Sequence, residues 1–146
     1  MEERRKHKRY PVLHEIDQPI QVALDGKALP GVLVELSAGG MAILTFTSIP
    51  VGTEMALSLD LPGLRTQELS GRVVWSLLKG EMWRLGIVFK KINPVDFRHI
   101  NRMAFDYSDC ATKLALGVSD VCSDKCSYHM LCQKVERTNG RHKSAY

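Results

Sequence analysis

The stretch 71-GRVVWSLLKGEMWRLGIVFKKI-92 holds two apolar runs separated only by Lys79-Gly80-Glu81. A break this short, between two segments of strand-like composition, reads as the turn of a β-hairpin. In the second arm Trp83, Leu85, Ile87 and Phe89 share one face, and Arg84, Gly86 and Val88 share the other, because successive side chains of a strand point to opposite sides. The same period of two extends outward toward the N-terminus. Ile20, Val22 and Leu24 alternate with Gln21, Ala23 and Asp25; Met55, Leu57, Leu59 and Leu61 alternate with Glu54, Ala56, Ser58 and Asp60. In 31-GVLVELSAGGMAI-43, Val32, Val34 and Leu36 alternate with Leu33, Glu35 and Ser37. These segments predict strands with one buried face. Six of them joined by short turns predict a mainly β fold, a small antiparallel barrel or sandwich, since closure removes exposed sheet edges. Trp75 and Trp83 are assigned to its core, and Arg72 and Arg84 to its solvated outer face.

The period changes after residue 92. Asn93 is a candidate N-cap, Pro94 fits the first helical position and Asp96 the first turn, with Phe97, Ile100, Ala104 and Tyr107 at helical spacing. A closing helix is expected, its pattern weakening beyond Ser108. A second helix is predicted over residues 120–138, with Ser119 near its start and Gly140 past its end. The organisation is thus a barrel unit over 1–107 and a helical, cysteine-bearing extension over 108–146. At 146 residues, 45% hydrophobic, the chain can bury one adequate core. No apolar run reaches the length of a membrane span, and no hydrophobic segment follows the charged start, so a cytoplasmic protein is expected.

Charge is concentrated at the ends. The formal net charge is +4, with Arg4, Arg5, Lys6, Lys8 and Arg9 at one end and Arg137, Arg141 and Lys143 at the other. This distribution favours a local anion site over a wholly basic surface that coats nucleic acid. If Val32, Val34 and Leu36 face the core, Glu35 and Ser37 face outward side by side. The "AGG" after them, Ala38 to Gly40, allows a tight reversal with positive backbone dihedrals and a close approach by a flat ligand. Taken alone, these features read as an ordinary hairpin with polar outward residues.

The two basic and polar pieces together resemble the PilZ family of cyclic di-GMP receptors. That family carries R-x-x-x-R in an N-terminal loop, then [D/N]-x-S-x-x-G on the barrel. Here the first reads "RKHKR", with Arg5 and Arg9 as its arginines and His7 as a spacer, and the second reads "ELSAGG", with Glu35, Ser37, Gly39 and Gly40. The resemblance runs from about residue 3 to 107 and includes "GRVVW", "RLGIVF" and the closing helix. It implies a six-stranded PilZ-like barrel in a bacterial second-messenger receptor. Arg5 and Arg9 would clasp the ligand, Glu35 and Ser37 would hydrogen-bond guanine or position the loop, and Gly40 would keep the turn open. Guanidinium groups suit this task, because they give bidentate donors to phosphate or guanine and stack on bases. Glu35 departs from the family's Asp or Asn by one methylene, which bears on affinity. An unidentified protein partner is implied as the reader of the ligand-bound surface.

All four cysteines, Cys110, Cys122, Cys126 and Cys132, fall outside that resemblance. In a cytoplasmic protein they are buried thiols, a redox pair or a metal site. On a helix, Cys122, Cys126 and His129 would stand at i, i+4 and i+7 on one stripe, with enough soft donors for zinc or an iron–sulfur cluster. The spacing is not the paired C-x2-C of common zinc modules. A metal or redox sensor whose barrel is a docking scaffold is therefore the alternative reading, and a barrel that binds RNA or DNA the weakest. No nucleophile–base–acid set or phosphate-cradling loop is present in the sequence, so catalysis is not indicated.

Overall fold

The alternating segments form strands in the computed structural model, which describes residues 12–14, 16–24, 27–119, 121–122 and 125–132, with backbone alone at 21–24 and 27–28. They are β1 (Gln18–Leu24), β2 (Lys27–Ser37), β3 (Gly40–Thr45), β4 (Glu54–Leu57), β5 (Asp60–Leu61), β6 (Leu64–Arg65), β7 (Leu69–Lys79) and β8 (Met82–Lys91). Six of them close an antiparallel barrel in the order β1-β2-β3-β8-β7-β4. Val22 opposite Leu57 and Ala23 opposite Ala56 make the closing pairs between β1 and β4. The run expected as one strand over "EMALSLDL" divides: Leu59 turns out of β4, and β5 pairs only with β6 in a separate ribbon. Thr66 Oγ1 accepts from Leu59 N at 2.9 Å and Thr66 N donates to Leu59 O at 2.9 Å, which fixes the corner.

Of three register shifts in the barrel, one of them between Ser70 and Gly71, two reset which site residues face inward. In β2 the register shifts between Leu33 and Glu35. Val34 is the extra residue, so Leu33 and Leu36 are both fully buried, whereas Val32 and Val34 are only half-buried. The expected inward set of Val32, Val34 and Leu36 is thereby corrected: a bulge inserts one residue and inverts the alternation beyond it. Glu35 and Ser37 still lie outside. In β7 the register shifts between Val73 and Trp75. Val73 is buried, but Trp75 is 43% exposed and does not fill the core as its composition suggested. Trp83 packs against the core from a half-buried position.

Before β1, Leu13 makes an isolated bridge to Leu36, with N–H···O distances of 2.8 and 3.0 Å. Leu13 and Ile16 are buried. Burial and pairing together tie this segment across the outside end of β2.

The helix α1 (Pro94–Ala115) begins as its sequence indicates. Asn93 Oδ1 accepts from Val95 N at 2.8 Å, and Pro94 occupies the first turn. Asp96 is buried and its Oδ2 accepts from Gln67 N at 2.9 Å, so the helix start is tied to the loop before β7. Ile100, Met103 and Ala104 bury the apolar face. The helix continues past Ser108 and stops at Gly117, whose φ of 80° accompanies bonds from Gly117 N to Leu114 O and Val118 N to Lys113 O; this is the left-handed helix ending that glycine adopts at least cost.

The second helix is not formed among the described residues. Among the described residues after Gly117 there is a turn and one 3-10 turn, His129–Leu131, and no α-helix. Ser119, Asp120, Ser123, Asp124 and Ser127 make this segment rich in side chains that compete for backbone partners. Ser127 donates through both N and Oγ to Asp106 Oδ2, at 2.9 and 2.7 Å. Tyr128 and Leu131 join the same buried cluster as the barrel. Gly140 lies outside the described residues. No helix is long and apolar enough to cross a membrane, among the described residues.

Candidate ligand site at the barrel lip

The bulge in β2 and the turn after it bring Glu35, Ser37 and Gly40 to one shallow cavity of about 190 Å³, shared with Val12, Val74, Trp75, Gly86 and Val88. Glu35 is half-exposed. Its Oε1 lies 3.2 Å from an Arg84 guanidinium nitrogen and 3.5 Å from His14 Nδ1. Arg84, expected as a solvated neighbour, is therefore held against the site; Arg72 is exposed as expected.

Ser37 is committed to the turn. Its Oγ donates to Gly40 O and accepts from Gly39 N, both at 3.3 Å. Phe89 N donates to Gly39 O at 2.9 Å, which fastens the turn to β8. The expectation of positive dihedrals at "AGG" is corrected: the positive-φ glycines among the described residues are Gly52, Gly63, Gly80 and Gly117. Gly40 is required for a different reason, because a Cβ there would run into the carbonyl oxygen of Ile87. Gly39 is exposed and its Cβ position is nearly open, leaving room above the turn.

Trp75 is the site residue that sequence reasoning missed. Its indole lies over Gly86, where a Cβ would overlap ring atoms Cε2 and Nε1. The missing side chain at 86 admits the ring, and the ring buries the glycine. An indole held this way, half-open to solvent beside a carboxylate, offers a stacking surface for a planar group. The signal was an aromatic and a glycine on adjacent strands, but the bulge that aligns them is not visible in the periodicity.

Arg5 and Arg9 lie outside the described residues. Val12, the first described residue, lines the cavity. The four cysteines border a different cavity, formed between α1 and the extension. The helical stripe expected for Cys122, Cys126 and His129 is absent with its helix. Among the described residues, no three of His, Cys, Asp and Glu are set to hold one metal ion.

The architecture is a closed antiparallel barrel whose lip carries a carboxylate, a serine-pinned glycine turn and a half-open indole. A family model for the PilZ domain matches residues 3–106, and the chain belongs to that family. Among solved structures it is similar to Escherichia coli YcgR in complex with c-di-GMP, with a TM-score of 0.60 and 21% identity over 75% of this chain and 50% of that one. It is also similar to the Bacillus subtilis inhibitor of motility MotI/DgrA, with a TM-score of 0.57 and 18% identity over 73% of this chain and 51% of that one. Against the PilZ domain of YcgR with c-di-GMP the TM-score is 0.53, at 22% identity over 80% of this chain and 100% of that domain. The chain spans about half the length of the first two proteins. No curated protein sequence matches it.

Proposed function

We propose that the protein is a cyclic di-GMP receptor of the bacterial cytoplasm, not an enzyme, with residues 1–107 as the ligand-binding unit and 108–146 as its extension. The observation that carries this reading is the bridge of Leu13 to Leu36, which anchors the N-terminal segment beside Glu35 and Ser37. Arg9 precedes Val12 by three residues and Arg5 precedes Arg9 by four, so the basic stretch adjoins in sequence a residue that lines the cavity.

Each part has a chemical task. Arg5 and Arg9 give bidentate, charge-assisted contacts to phosphate oxygens or to guanine O6 and N7. Glu35 accepts from guanine N1 and N2, with Arg84 and His14 steadying its carboxylate. Ser37 holds the Gly39–Gly40 turn open, and Trp75 receives a base on its face. The cavity is small for a whole dinucleotide, so the arginine arm covers the remainder. Ligand that binds arm and barrel together favours the closed arrangement by its differential affinity, and an unidentified protein partner reads the surface so formed.

Calorimetric titration with cyclic di-GMP, with cyclic di-AMP and GTP as controls, tests this reading. Saturable binding of the guanine dinucleotide in preference to both controls is expected. Binding weaker than about 1 mM, or equal binding of cyclic di-AMP, would overturn it.

A further inference from the structure

The cysteines lie outside the ligand site, yet they converge. Cys110 stands on α1, and Cys122, Cys126 and Cys132 come from the irregular extension; all four line one cavity of about 250 Å³. Asp106 and Cys110 are four residues apart and share a helix face. Ser127 is bonded to Asp106, and the ring of Tyr128 meets Tyr107 edge-on at 4.9 Å between centroids. These contacts fasten the extension one helical turn before Cys110. The 3-10 turn then brackets Cys126 and Cys132: His129 N donates to Cys126 O at 3.1 Å, and Cys132 N to His129 O at 3.3 Å.

We propose that this cavity holds a soft metal centre bound by the thiolates of Cys110, Cys122, Cys126 and Cys132. Zinc and an iron–sulfur cluster share the required chemistry, four sulfur donors and partial exclusion of water. Core packing accounts for part of the arrangement, since Cys126 and Cys132 lie against the buried cluster, but it does not account for all four thiols bordering one cavity. Since no three donors already share a single-ion position among the described residues, uptake draws the sulfurs inward around the cavity, and each thiol releases its proton as it ligates.

The full chain is purified anaerobically and assayed for metal by mass spectrometry and visible absorption, before and after supply of zinc or of ferrous iron with sulfide. Expected is stoichiometric zinc, or iron with sulfide-to-iron charge-transfer absorption; which one appears identifies the form of the centre. Cys110→Ser and Cys126→Ser should each reduce the metal to background. Alkylation of the unaltered chain, independent of whether those variants fold, should be blocked at all four thiols until a chelator is added. A chain that stays metal-free under both supplies, one whose metal survives both serine substitutions, or four thiols alkylated equally with and without metal would overturn the proposal.

Discussion

Replacing Gly86 by alanine tests the lip through its least obvious contact. A Cβ at this position overlaps the Trp75 ring, so the indole must leave the surface of β8. A buried aromatic side chain covers about 150–250 Å², and Trp75, 43% exposed, has a little over half of its surface covered. Loss of roughly 100 Å² at about 25 cal/mol per Å² gives an upper bound of about 2.5 kcal/mol. A displaced ring keeps some cover, so a loss of about 1–2.5 kcal/mol is expected. For a urea slope of about 2 kcal/mol per M, the unfolding midpoint falls by about 0.5–1.2 M. Tryptophan emission should shift to the red, and cyclic di-GMP affinity should drop with it. The decisive measurement is a double-mutant cycle. In a Trp75→Ala background the obstacle is gone, and Gly86→Ala should be neutral or stabilising by about 0.5 kcal/mol, since alanine restricts the unfolded chain more than glycine does. An equal cost in both backgrounds would refute the packing argument and with it the placement of the indole.

Arg5→Ala and Arg9→Ala should each weaken cyclic di-GMP binding by about 1.5–3 kcal/mol, one to two decades in affinity, with the urea midpoint unchanged; unaltered titrations in both would remove the clasp. Asp96→Ala leaves the Gln67 N–H without its acceptor and should cost about 1–3 kcal/mol in urea unfolding, most of it restored in Asp96→Asn, which keeps an acceptor oxygen. In the metal-free chain, burial raises the Cys126 thiol above its ordinary pKa, so the folded state holds that proton more tightly than the unfolded state. Its stability is then complete below the ordinary thiol pKa of about 8.5 and declines as pH rises through and beyond it. Unfolding midpoints of the unaltered chain should fall from about pH 7 to pH 10 by more than those of Cys126→Ser, and parallel profiles would count against the raised pKa.

The alternation of Met55, Leu57, Leu59 and Leu61 and the cap at Asn93 were legible because they depend on residues within one turn or one strand. The grouping of Glu35, Ser37 and Gly40 in "ELSAGG" was legible on the same grounds, since spacing along the chain and residue type are sequence properties. What faced inward was not legible wherever a bulge intervened. Val34 and Val74 each add one residue to a ladder, and a period-two pattern cannot register that insertion without the partner strand. The bulge before Glu35 put Leu33, not Val34, in the core, and the one before Trp75 turned an expected core residue into part of the site. The Arg84 contact to Glu35 joins residues 49 positions apart, and only the β3–β8 pairing brings β8 to β2's side of the lip. The thiols show the same division. Their number and softness stand in the sequence, but the helix expected to align them does not form among the described residues; Asp106 and Tyr107 of α1 instead hold a turn, and that long-range packing gathers the four cysteines around one cavity.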